Sequence, residues 1–115
     1  MNIYDKANEF AEELKNCNEV VKLREASEKI KVNQKDKDML SDFRKLQLKA
    51  YSEQMEDGKV SDETKEKIQN MGSIISTNPS VNEYLQAEQK FSVIWNDLLK
   101  ILNDAIGIDF SFEEK

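Results

Sequence analysis

The sequence predicts an all-α protein, an antiparallel bundle of about five helices with a long C-terminal helix that self-associates. Three observations carry this prediction. Only three glycines and one proline interrupt 115 residues, so turns are few and regular elements long. Lys, Glu, Gln, Leu, Met and Ala dominate, which favours helix over strand. Valine and isoleucine recur at helical spacing and form no alternating runs.

The first segment runs from Ile3 to about Asn16, with Ile3, Ala7, Phe10, Ala11 and Leu14 on one face. Asn16, Cys17 and Asn18 interrupt it, and Asn18 has the side chain of an N-cap for the second segment. That segment extends to about Val32 and points Val20, Leu23, Ala26, Ser27 and Ile30 inward. Asn33 caps a third segment reaching about Glu56, whose shared face holds Met39, Leu40, Phe43, Leu46, Gln47, Ala50 and Tyr51. Asp57-Gly58 is the clearest turn signal. Ser61 caps a fourth segment with Thr64, Ile68, Met71 and Ile75 on one side, weakened at Gly72 by roughly 1 kcal/mol relative to alanine. Asn78-Pro79 marks the start of the fifth, which ends at Gly107. At 1.5 Å per residue this last helix is ~42 Å long. Residues 1–107 form one domain, and 108–115 a short tail that carries Ile108, Phe110 and Phe112 and either docks these apolar side chains or frays.

The fifth segment is the most informative. On a helical wheel Val81, Tyr84, Leu85, Phe91, Trp95, Leu98, Leu102 and their apolar neighbours span about 200°, roughly twice what packing on one side of a small core needs. The other four segments wrap it completely, or a second subunit covers what they leave. The second reading is preferred, because broad apolar surface marks interfaces. Tyr84, Leu85, Phe91, Trp95, Leu98 and Leu102 are therefore the expected interface or core residues. Phe91 and Trp95, one turn apart, have the character of a binding hot spot, although core is the preferred reading of both.

Glu88 lies inside this apolar arc, where a carboxylate is costly unless paired. Arg44 and Gln47 of the third segment are the expected partners, in a polar cluster at a helix–helix or subunit contact that sets register more than it adds stability. Glu88 could instead recognise a partner protein. A catalytic role has little support, since the chain has no histidine and that face offers no second carboxylate.

Composition excludes several further classes. Residues 1–58 carry 13 acids and 11 bases, and residues 59–115 carry 10 acids and 6 bases, with no basic block in either half. Direct nucleic-acid binding by one subunit is disfavoured, because neutralising phosphates needs clustered cations. No apolar run approaches the roughly 20 residues of a membrane span. The opening Met-Asn-Ile-Tyr-Asp lacks the regions of a signal peptide, so the expected location is the cytoplasm. Cys17 has no cysteine to pair with and no histidine to activate it, and reads as an ordinary small residue. Asp36, Asp38 and Asp42 are expected on solvated helix surface, without the spacing of a calcium loop. No cofactor, metal or catalytic set is expected.

The run Phe43-Arg44-Lys45-Leu46-Gln47-Leu48, followed about 40 residues later by Tyr84-Leu85-Gln86-Ala87-Glu88-Gln89-Lys90-Phe91, resembles the YlbF/YmcA family of small helical bacterial proteins, and within it the YheA branch. The similarity extends over nearly the whole chain. The resemblance implies an all-helical fold that forms dimers or larger assemblies, no enzymatic activity, and a source among low-GC Gram-positive bacteria. Better-known branches serve as regulatory subunits in competence, sporulation and biofilm development, within a complex that modulates an RNA-processing endoribonuclease. Arg44, Gln47 and Glu88 match the family pattern, which implies an architectural part for them. Some members hold an iron–sulfur cluster on cysteines toward the C-terminus. This chain has none there, so no cluster carries over. The function expected is that of a regulatory adaptor that joins copies of itself and other protein subunits. A self-assembling structural protein and a small-molecule-binding protein are the alternatives.

Overall fold

The computed structural model describes residues 2–108. Five helices follow one another: α1 (Ile3–Asn16), α2 (Asn18–Lys31), α3 (Gln34–Asp57), α4 (Asp62–Ser76) and α5 (Pro79–Ile106). Among the described residues there is no strand.

The helix ends follow from local chemistry. The side chains of Asn33, Ser61 and Asn78 accept hydrogen bonds from the backbone N–H three residues on, at 3.2, 3.2 and 3.0 Å. Each satisfies one of the free donors of a first helical turn. Asn2 does the same for α1, accepting from the Asp5 N–H at 2.9 Å. Gly58 and Gly107 stop α3 and α5 in the left-handed region, at φ 78° and 68°, where a Cβ would be strained.

The α1–α2 junction departs from expectation. Asn18 is the first residue of α2, and Cys17 occupies the cap position in extended backbone with no side-chain bond. The break is held from both sides. The Cys17 N–H donates to the Leu14 carbonyl at 3.2 Å, and the Arg24 guanidinium donates to the Lys15 carbonyl at 3.1 Å.

Ile30, Ile75 and Val81 form the buried centre, with Met39, Leu40, Phe43, Met71, Tyr84 and Leu85 packed around it. The core therefore sits where α2, α3 and α4 meet the N-terminal half of α5. α2 runs antiparallel to α5, placing Lys29 beside Glu83 at 3.0 Å. α3 runs parallel to α5, with Asp36 beside Asn78 and Arg44 beside Glu88. α4 folds back along α3, and Glu53 clamps the hairpin by accepting from the Ser61 N–H at 2.8 Å and the Thr64 hydroxyl at 2.7 Å.

The molecule measures 53 × 41 × 18 Å. Its thinnest dimension is under two helix diameters of ~10–12 Å, so no third layer covers either face. Its radius of gyration is 18.3 Å, against about 13 Å for a compact domain of this length.

Three expectations are overturned. Asp36 is buried and not on solvated surface, because Asn78 reaches across from α5 to bond it. Gln47 and Tyr51, expected on the packed face of α3, are exposed, because the core contacts of α3 involve Met39, Leu40 and Phe43, nearer its N-terminus. The apolar stripe of α1 is not covered either. α1 is the most amphipathic of the five helices yet has no buried residue. The alternation of Ile108, Phe110 and Phe112 lies mostly outside the described residues; Ile108 itself is exposed.

Candidate functional site

Two surfaces stand out, and α5 builds both. The first is a groove of about 430 Å³ between α3 and α5, lined by Phe43, Arg44, Gln47, Leu85, Glu88, Gln89 and Ser92. Arg44 bridges the helices. One of its guanidinium nitrogens pairs with the Glu88 carboxylate, and the other donates to the Gln47 side-chain oxygen at 3.0 Å. The structure thus brings together the three polar residues singled out by sequence. The ion pair is half-buried, each side chain 36% exposed, so water screens it strongly and its contribution lies at the modest end for such pairs.

Tyr84 sits one turn before Glu88 on the same face of α5. Burial pushes its phenol above the ordinary value of 10.0. The Glu88 carboxylate pushes in the same direction, by its charge and by hydrogen bonding, while Arg44 opposes it. The groove itself offers the Ser92 hydroxyl, the Arg44 guanidinium, the Glu88 carboxylate and the Gln47 and Gln89 amides beside the apolar side chains of Phe43 and Leu85.

The second surface is the C-terminal half of α5. Phe91 and Trp95 stack with ring centroids 5.8 Å apart. Phe91, Ile94 and Leu98 are half-buried, but Trp95 is 44% exposed, Leu102 56% and Ile101 63%. Leu99 and Ile106 are exposed as well. Within one chain, the reading of Trp95 as core fails. Beyond Leu98 every described residue of α5 is exposed. Of the six expected interface or core residues, Tyr84 and Leu85 pack against the core, Phe91 and Leu98 are half-buried outside it, and Trp95 and Leu102 are exposed.

A third depression of about 480 Å³ lies between α2 and α5. Its walls carry Glu19, Lys22, Glu25, Lys29, Glu83 and Lys90, acids and bases interleaved as on a solvated face.

Sequence reasoning missed Gln89 and Ser92, whose place in the groove depends on how α3 crosses α5. It also missed the Asp36–Asn78 bond, since nothing local signals a partner 42 residues away. The free face of α1 had a signal, a clean apolar stripe, but periodicity does not say what covers a stripe.

An iron–sulfur cluster does not fit this chain. Its single cysteine lies at the α1–α2 break, and no group of three or more His, Cys, Asp or Glu among the described residues is placed to hold a metal. No helix among these residues is long and apolar enough to cross a membrane.

Comparison with known proteins agrees with this architecture. The family described as "Control of competence regulator ComK, YlbF/YmcA" matches residues 3–107. A UPF0342 protein of Clostridium tetani is 54% identical over 115 residues, covering 100% of this chain and 99% of the relative. A UPF0342 protein of Halothermothrix orenii is 38% identical, covering 100% and 98%. Among solved structures, yheA from Bacillus subtilis superposes with a TM-score of 0.60 at 20% identity, covering 93% of this chain and 97% of that one, which is a likeness of fold. The family is described by a regulatory role and not by a reaction. The match to the family model over residues 3–107, from α1 to the end of α5, establishes that the chain belongs to the YlbF/YmcA family.

Proposed function

We propose that this protein is a non-enzymatic regulatory adaptor of the cytoplasm, acting through helix-mediated contacts with copies of itself and with other subunits of a regulatory complex. One observation carries the reading: the exposed apolar half of α5, from Trp95 to Ile106. A continuous surface of this kind marks an interface.

The extent of surface supports it. The chain exposes 9072 Å², where a compact monomer of this mass exposes about 6,500 Å². The difference exceeds the roughly 800 Å² that each partner of a standard interface buries. The α3–α5 groove, with Arg44, Gln47 and Glu88, is the surface proposed to receive a different protein, because its polar groups can fix orientation while α5 supplies apolar area. The family's description, control of a competence regulator, supports a part in developmental control, with RNA processing as one route.

Two measurements test this. Light scattering across a dilution series is expected to give a dimer or larger species at micromolar concentration, and a monomer would end the self-association reading. Affinity capture from the native host is expected to recover other regulatory subunits with the wild-type chain, and fewer with Arg44→Ala. Recovery of the chain alone would favour a self-assembling structural protein, a reading that the same α5 surface supports.

A further inference from the structure

Arg44 and Glu88 stand at the head of two matched stripes. On α3 the stripe continues from Arg44 through Leu48, Tyr51 and Met55; on α5 it continues from Glu88 through Ser92, Trp95 and Leu99. Both step by four, three and four residues. α3 and α5 run parallel, so the two stripes continue on the sides that the ion pair joins. Packed together, they would bury one another. Instead Leu48, Tyr51 and Met55 are 69%, 66% and 68% exposed, and Leu99 is 40% exposed. Between the helices lies an open cleft, closed at one end by the ion pair and ~16 Å long from Arg44 to Met55. α3 stops at Asp57, and Leu102 and Ile106 of α5 lie past it, free for contact between copies.

Alternating steps of four and three residues are the a and d positions of a heptad, the pattern with which one helix packs along another. Heptads usually carry charges beside this seam, and those charges select the partner. Here, on the side where the α3–α5 groove opens, the flanking positions hold amides: Gln47 and Gln54 on α3, and Gln89, Asn96 and Asn103 on α5. All five are exposed. Gln47 and Gln89 also line the groove, which is the near end of this amide-rimmed mouth. An amide both donates and accepts, so it pairs with another uncharged polar group. A charge pressed against it would lose water without gaining a counter-charge.

We propose that the cleft receives one helix of a different protein, which carries apolar side chains at alternating four- and three-residue steps and uncharged polar side chains beside them. The helix lies between α3 and α5 for about three turns, with Arg44 and Glu88 at its end. Tyr51 and Trp95 supply aromatic anchors, and the thioether of Met55 adapts to what it meets. α1 of another copy is a poor occupant, because Glu9 and Lys15 flank its apolar stripe. This assignment rests on the reading of the α3–α5 groove as a site for a different protein, and it adds the chemistry of that partner.

Photo-crosslinking in the native host tests it. Chains with benzoylphenylalanine in place of Met55, Leu99 or Gln89 are expressed, irradiated and digested, and the joined peptides are sequenced by mass spectrometry. Met55 and Leu99 are expected to join the same segment of a different protein, with the stated spacing and no charge beside it. A synthetic peptide of that segment is expected to bind the wild-type chain, and Met55→Asp to weaken binding by about tenfold or more. Val93, exposed on α5 outside the cleft, is the control: Val93→Asp is expected to leave binding unchanged. Circular dichroism verifies the helix content of each variant. Joining to nothing, to copies of this chain alone, or to segments without that spacing overturns the proposal. So does a peptide that the Met55→Asp chain binds as tightly as wild type. In each of these cases a different protein joined at Gln89 leaves the groove reading standing, and its absence there overturns that reading as well.

Discussion

The side chain of Asn78 does two jobs at once: its oxygen accepts the Val81 N–H at 3.0 Å, capping α5, and its nitrogen donates to the Asp36 carboxylate at 2.8 Å. Asp36 lies in the first turn of α3, where the helix dipole favours a negative charge. The bond therefore ties the starts of two parallel helices together beside the core residue Val81. Asp36→Ala leaves a partly buried amide donor without its partner, at a cost of about 1–3 kcal/mol. Near 100 residues that corresponds to about 4–8 °C per kcal/mol. Thermal melts of Asp36→Ala at fixed protein concentration are expected to show such a fall, with helix content unchanged at low temperature.

An ion pair between Arg44 and Glu88 also joins α3 to α5. Because both side chains are 36% exposed, a double-mutant cycle over Arg44→Ala and Glu88→Ala is expected to give a coupling of about 1 kcal/mol or less. Added salt should shrink it. A coupling above about 3 kcal/mol would mean that the pair is buried by a partner subunit. Glu88→Ala alone is expected to lower the melting temperature or change the mass in solution.

Tyr84 reports on the same pair through its proton. Its phenol is held above 10.0 by burial first and by Glu88 second. A group whose pKa rises on folding stabilises the fold below its unfolded value and loses that contribution as pH climbs through the folded one. Stability should therefore fall above about pH 10. Ultraviolet titration is expected to show one tyrosine of three ionising late, and Glu88→Gln should bring it back toward the other two.

Glu53 has the opposite sign. Hydrogen bonds from the Thr64 hydroxyl and the Ser61 N–H hold its carboxyl below 4.5. Its contribution is present above that value and lost as pH falls through the folded pKa. Thr64→Val keeps the shape of a buried side chain and removes the principal bond. The expected result is a lower melting temperature at neutral pH, with the difference from wild type narrowing as pH falls below 4.5.

Gly72 sits inside α4 with open space where a Cβ would be. Gly72→Ala should stabilise the protein by about 0.5–1 kcal/mol through helix propensity alone. Denaturant midpoints of the two proteins, compared at equal slope, measure it.

The single tryptophan reads out assembly. Trp95 is exposed in the isolated chain, so its emission should shift to longer wavelength as dilution separates subunits. Trp95→Asp or Leu102→Asp is expected to give a monomer with native helix content. A mass unchanged by both would show that subunits meet elsewhere.

The order of five helices, their ends at Asn33, Gly58, Ser61, Asn78 and Gly107, and the excess apolar width of α5 were all determined by sequence. Each follows from groups a few residues apart: a cap and the N–H it accepts from, a glycine and its φ, a repeat near 3.6. The pairing of Arg44 with Glu88 was legible too, since a carboxylate on an apolar face calls for a cation on the neighbouring helix. Only the tertiary structure decided what each stripe meets. It buried Asp36 under Asn78, left Trp95 exposed, and left α1 without a buried residue. These outcomes depend on crossing angles and on one bent junction, which sum small preferences over distant residues, whereas a cap or a periodicity needs only its own turn.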